Sequence, residues 1–151
     1  MPQVEFHTLG EDSDASRLRS ACALIERAYL AGERVLVWLE DDAALAAFDN
    51  LLWTFGDRSF VPHEPLAAEP AACEAPVQLC AAAELPEPVF AAGFSTLLSL
   101  REAPSPAALK FPKVVEVIDA DPRRRDAGRS RFRFYRERGA VPQHFNVPAR
   151  A

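Results

Sequence analysis

"RVLVWLEDDAALAAFDNLLWTF", residues 34–55, decides the fold. Its first third, "RVLVWLE" (34–40), is a nearly continuous apolar run, the pattern of a strand buried on both faces. At Asp41 the period changes. Leu45, Phe48, Leu51 or Leu52, and Phe55 fall on one helical face, and Asp41 is an N-capping residue type directly ahead of them. A buried strand passing at once into an amphipathic helix is half of a βαβ unit.

Upstream, "VEFHTL" (4–9) alternates apolar and polar residues and reads as a first strand. Ser13 or Ser16 can cap the helix that follows. Leu18, Ala21, Cys22, Ile25, Ala28 and Tyr29 keep helical spacing there until Gly32 supplies the stop. This β-α-β-α opening predicts a mainly parallel sheet with helical crossovers. Downstream, "APVQLCA" (75–81), "FSTLLSL" (94–100) and "KVVEVID" (113–119) are further strands, the last two joined through a proline-broken segment. Residues 62–88, rich in Pro, Ala and Glu, read as a long acidic surface connection around the first of these. An arginine-rich helix ends near Gly139. The expectation is a single α/β domain over residues 1–140, a mainly parallel sheet with flanking helices, and an extended or mobile tail at 141–151.

Bulk composition narrows the class. The 151 residues suffice for one core. No apolar run approaches the roughly 20 residues of a membrane span. "MPQVEFHTLG" has no signal-peptide pattern, so a cytoplasmic, non-membrane protein is expected. The three cysteines, Cys22, Cys73 and Cys80, are odd in number and lack C-x-x-C spacing. Cys22 lies on the apolar face of its helix, as a small buried hydrophobe.

Such a sheet raises the question of a nucleotide. The loop after the first strand, "TLGEDSDAS", carries one glycine and three acids, where a dinucleotide site needs glycines and tolerates no carboxylates. No phosphate-binding G-x-x-x-x-G-K-[ST] occurs. The fold reads as Rossmann-like without a nucleotide site. Asp41 and Asp42 stand where the second strand ends, an edge at which α/β sheets bind ligands. An enzyme or nucleotide-binding protein using that edge is the alternative to simple helix capping. His7, His63 and His144 share no motif spacing, and no nucleophile elbow is present. No catalytic residue, cofactor or metal site is expected.

Charge is unevenly spread. Residues 123–138 hold eight arginines against Asp126 and Glu137, a local +6 in a chain of net −5, leaving −11 elsewhere. That acidic remainder opposes tight direct binding of nucleic acid, whereas a localised basic site suits a small acidic partner. Arg125, Arg129 and Arg133 are four residues apart and form a column, with Phe132 beside it. Ala127, the aliphatic stem of Arg131, Phe134 and Tyr135 are candidates for the side packed on the sheet. The pattern fits either a solvated basic face with its aromatics turned inward or cations beside an apolar groove, which suit a ligand bearing both a carboxylate and a hydrophobic side chain. A second candidate surface lies in "LLWTFGDRSFVPHEP" (51–65). Trp53 sits off its helix's apolar stripe, and Phe60 occupies a short turn with Val61 and Pro62.

These segments, in this order, resemble the chi subunit family of bacterial DNA polymerase III, accessory proteins of the clamp loader. The resemblance rests on "VEFHTL", "AGERVLVWLEDD", "LLWTFGDRSFVPHEP", "LLSLRE", and "VVEVID" ahead of the basic helix with "YRERG". The Pro/Ala/Glu stretch and the C-terminal tail match poorly. The resemblance implies an α/β fold like that of nucleotide-binding proteins without their ligand, and two binding surfaces. Trp53 and Phe60, with Val61 and Pro62, would meet the psi subunit. A repair helicase is a further candidate for that surface. Ile118, Arg125, Arg129, Phe132 and Arg133 would receive the acidic C-terminal tail of single-stranded-DNA-binding protein, which ends in phenylalanine. Arginines stand where the family pattern has lysines, and Phe132 where it has a tyrosine. Charge and ring are kept, and a phenolic hydrogen bond is lost.

Overall fold

The structure is a computed structural model, and it describes residues 2–148. Seven strands form one sheet: β1 (Gln3–Thr8), β2 (Val35–Trp38), β3 (His63–Pro65), β4 (Val77–Cys80), β5 (Thr96–Ser99), β6 (Lys113–Ile118) and β7 (Gln143–Asn146). Their order is β3-β4-β2-β5-β6-β1-β7, and every neighbouring pair is parallel. Three helices connect them: α1 (Asp14–Leu30), α2 (Asp42–Thr54) and α3 (Pro122–Glu137).

Alternation within the buried strands divides the core in two. Val35 and Val37 of β2 face α1 and α2, where they meet Ala21, Cys22, Ile25, Phe48 and Leu52. Leu36 and Trp38 face the other way, joining Phe6, Ile118 and Tyr135 beneath α3. Short 3₁₀ turns at Glu87–Ala91 and Pro106–Lys110 complete that second layer with Val89, Ala92, Ala108 and Phe111. The strand expected from residues 34–55 is thus an interior strand of the sheet, covered on both sides. No helix among the described residues is long and apolar enough to cross a membrane.

The caps follow their chemistry. Ser13 Oγ accepts from the Ser16 N–H at 3.1 Å, and Asp41 Oδ1 accepts from the Ala44 N–H at 2.8 Å. Each thereby satisfies an N–H that the first helical turn leaves without a partner. Helix α1 stops at Gly32, whose φ of 80° is left-handed and open to glycine at no steric cost.

Two expectations need correction. Residues 62–88 are more than a surface connection. The strand expected within 75–81 is β4, all of whose residues are buried, but the stretch also supplies edge strand β3, and Arg34 ties the loop between them down by donating to the carbonyls of Pro70 and Cys73. The expected tail at 141–151 is likewise part of the domain as far as Asn146. Residues 143–146 are extended, and pairing with β1 holds them as the other edge strand. Residues 149–151 of that segment lie outside the described residues.

Candidate functional site

The parallel topology delivers β6 and α3 to one corner of the sheet. Asp121 caps α3, accepting from the Arg124 N–H at 3.0 Å, and Pro122 occupies the first turn, where its missing N–H costs nothing. From that start the helical period sorts the arginines. Gly128, Arg131 and Tyr135 turn inward and are buried. Arg125, Arg129 and Arg133 turn outward. Gly128 lets the helix backbone lie directly on the end of β6, since a Cβ there would overlap Ile118 Cδ1.

The close approach shapes a groove of about 350 Å³ between α3 and the β1–β7 edge. Ile118, Arg125, Arg129, Phe132 and Arg133, the residues singled out in the sequence, all line it. Phe6 and Thr8 of β1 and His144 of β7 complete it, and sequence reasoning missed all three. A signal existed for the last: Phe145 and Val147 alternate with polar residues between Pro142 and Pro148, a short strand pattern. Phe132 is half-buried and leans on Phe6, with ring centroids 5.3 Å apart.

The groove's cations are little engaged. Arg129 stands 3.6 Å from Asp126 in an exposed pair, and Arg133 donates to Ser130 Oγ at 3.3 Å. Arg125 makes no ion pair among the described residues. Exposed pairs of this kind contribute about 0–1 kcal/mol, so their guanidinium donors are readily given up to a ligand.

Inward, the same helix carries a buried polar network that the sequence did not reveal. Arg131 Nε donates to Glu116 Oε1, its Nη1 donates to the Glu102 carbonyl at 2.9 Å, and Tyr135 Oη donates to Glu116 Oε2 at 2.6 Å. Arg131 therefore buries its head as well as its aliphatic stem. Burial pushes the Glu116 carboxyl above the usual carboxylate range, opposed by the Arg131 charge and the Tyr135 hydrogen bond. Burial likewise raises the Tyr135 phenol. Both carboxylate oxygens have donors, the condition for keeping such a group inside a core.

In the crevice where nucleotides bind in folds of this topology the protein sets an ion pair of its own. At the C-terminal ends of β1 and β6 the chain departs to opposite faces, into α1 and α3. There Asp119 Oδ2 accepts from the Ser13 N–H at 3.0 Å, and Arg124 donates to both Asp119 oxygens at 2.7 and 2.8 Å. The Arg124 hydrogen bonds hold the Asp119 carboxyl below its usual range. The protein's own carboxylate thus takes the place at the helix start that a phosphate would need. Asp41 caps α2, as expected, and Asp42 beside it is exposed in the first turn.

A second surface feature lies at the opposite sheet edge. Trp53 is 43 % and Phe60 63 % exposed, with ring centroids 5.5 Å apart. Trp53 also packs on His63 at 4.0 Å. His63 is itself buried, its Nδ1 2.7 Å from the Val61 carbonyl and its Nε2 3.1 Å from Asp49 Oδ1. Pro62 is partly exposed. Val61, expected on this surface, is fully buried in the core beneath α2, so its side chain cannot meet a partner.

Fold and site together define a parallel α/β domain of nucleotide-binding topology, with an internal ion pair at its crevice, an arginine-walled groove at one sheet edge and an aromatic patch at the other. Residues 1–143 match the family described as DNA polymerase III chi subunit, HolC, and the chain belongs to that family. It is 35 % identical over 148 residues to the DNA polymerase III subunit chi of Pseudomonas aeruginosa, covering 98 % of this chain and 99 % of that one. To the protein of the same name from Escherichia coli K12 it is 28 % identical over 143 residues, 92 % of this chain and 94 % of that one. Family membership makes the chain a DNA replication protein, an accessory subunit of DNA polymerase III.

Proposed function

We propose that the domain is a non-catalytic cytoplasmic adaptor in that polymerase. It joins the psi subunit of the clamp loader through Trp53, Phe60 and Pro62, and the acidic C-terminal tail of single-stranded-DNA-binding protein through the groove. The observation that carries the reading is the meeting of three lightly engaged arginines with Ile118 and Phe132 in one cavity. An acidic peptide ending in phenylalanine offers what that cavity lacks: carboxylates for the guanidinium donors and a ring for the apolar floor. The two surfaces also suit a bridge. They flank β3 and β7, the outermost of seven strands, and at ~4.8 Å per strand spacing lie roughly 30 Å apart, so both partners can be held at once.

Titration of such a peptide into the chain and its Arg129→Ala variant tests the groove. A loss of about 1–3 kcal/mol is expected, the range for a hydrogen bond to a charged group. Equal affinity would move the tail elsewhere. For the aromatic patch, Trp53→Ala should leave the fold intact and weaken psi binding by about 2 kcal/mol or more, the scale of an interface anchor. Lost thermal stability with intact psi binding would make Trp53 a core residue.

A further inference from the structure

The groove has two walls, and only one of them is made of arginines. We propose that Thr8 and His144 form the second, donating a hydrogen bond to a carboxylate of the bound acidic peptide from the side opposite α3. This rests on the reading of the groove as a tail-peptide site.

The placement comes from the strand that the sequence hid. β7 pairs in parallel with β1 so that His144 stands opposite Phe6. Neighbours in register point to the same side of a sheet, so the His144 side chain stands on the α3 face with Phe6, at the groove. His144 Nε2 lies 2.8 Å from Thr8 Oγ1, and both residues line the cavity that holds Arg125, Arg129 and Arg133. Phe145, on the other face, stacks on His7 with centroids 5.0 Å apart, and the Val147 N–H donates to the Thr8 carbonyl at 2.9 Å. β7 is therefore fastened before any ligand arrives.

Hydrogen-bond arithmetic then leaves one donor over. If Nε2–H donates to Thr8 Oγ1, the threonine O–H is uncommitted. If the threonine O–H donates to Nε2, the proton on Nδ1 is uncommitted. Among the described residues neither side chain makes any other side-chain hydrogen bond. In either tautomer the pair retains a donor beside a cationic groove, and a carboxylate with two oxygens can accept from both walls at once.

The test is calorimetric titration of a short acidic peptide ending in phenylalanine into the full chain and its Thr8→Val, His144→Ala, His144→Gln and Arg129→Ala variants. Thr8→Val and His144→Ala should each bind roughly tenfold more weakly, the effect of about 1.4 kcal/mol for one hydrogen bond to a charged group. His144→Gln keeps a side-chain donor and should recover most of the loss. With the peptide's acidic side chains and terminal carboxylate all changed to amides, Thr8→Val and His144→Ala should bind as the unaltered chain does. Weakening by Arg129→Ala alone would overturn the second wall while leaving the groove as the tail site. Losses in Thr8→Val and His144→Ala that persist equally with the amide peptide would reduce the pair to packing and overturn the inference too. Unchanged binding in every variant would remove the tail from the groove altogether.

Discussion

Arg131 and Arg129 stand two residues apart on α3 and live in different solvents. Arg131 is 7 % exposed, its donors committed to Glu116 and to the Glu102 carbonyl. The Arg129 side chain is 64 % exposed, with a loose carboxylate neighbour and no other partner among the described residues. Arg124 falls between them, 35 % exposed and clamped on Asp119, which is fully buried. A count of eight arginines treats these alike. Helical phase separates them: an inward guanidinium must find acceptors inside the protein, whereas an outward one keeps its donors for a partner.

The inward extreme should show the largest effect. Glu116→Ala leaves Arg131 buried without its carboxylate and should destabilise the domain by about 3–5 kcal/mol, the cost of breaking a buried pair from one side. Denaturant unfolding measures it. Removing both charges together, as in Glu116→Leu with Arg131→Met, should restore much of the loss, because the penalty lies in the orphaned charge rather than in the missing attraction. A single-variant loss below about 1 kcal/mol would show water reaching Arg131 and would erase the contrast between the two sides of α3.

Arg124 should be intermediate and dependent on pH. Arg124→Ala removes two charge-assisted bonds from a buried carboxylate that still accepts from Ser13, so about 1–3 kcal/mol is expected at neutral pH. The sign follows from Asp119, whose folded pKa is depressed by Arg124. Its contribution is fully present above the unfolded carboxylate value, about 3.9, and fades as pH falls through the lower folded value. The stability gap between the parent and Arg124→Ala should therefore shrink below about pH 4. A gap that is flat from neutral pH down through that range would mean Arg124 acts by packing alone.

How much of this could be read from the sequence depended on how local the cause was. The alternation in "VEFHTL", the apolar run 35–39 and the four-residue arginine spacing are local, and each led to the right element. The groove's α3 wall was legible for the same reason, because helical period alone puts Arg125, Arg129 and Arg133 in line. What stayed hidden was made by pairing across the sheet. Glu116 and Tyr135 meet only because β6 runs beneath α3, and nothing in "KVVEVID" marks its glutamate as an acceptor for an arginine fifteen residues on. β3 and β7 are edge strands of three and four residues in proline-flanked segments, stabilised by the neighbour they pair with more than by their own propensity. Val61 was misassigned because it stands between exposed Phe60 and partly exposed Pro62, while the chain's turn into β3 sends it inward.

The smallest effect belongs to Arg125, and it is the most discriminating. Arg125 is exposed at the start of the groove and pairs with nothing among the described residues, so Arg125→Ala should leave stability within about 0.5 kcal/mol of the parent. Its contribution to an acidic peptide should be a long-range attraction through water, below about 1 kcal/mol at physiological salt. That attraction is screened over roughly 8 Å, so raising the salt should narrow the affinity difference between parent and variant. Arg129, which in the proposed site donates directly to the peptide, should keep most of its effect under the same change. Titrations of both variants at two salt concentrations therefore separate a steering charge from a binding one. If Arg125→Ala instead cost as much as Arg129→Ala and resisted salt, the peptide's carboxylates would have to sit nearer the start of α3. The boundary between the arginines that hold the fold and those that hold a partner would then move one helical turn toward Arg124.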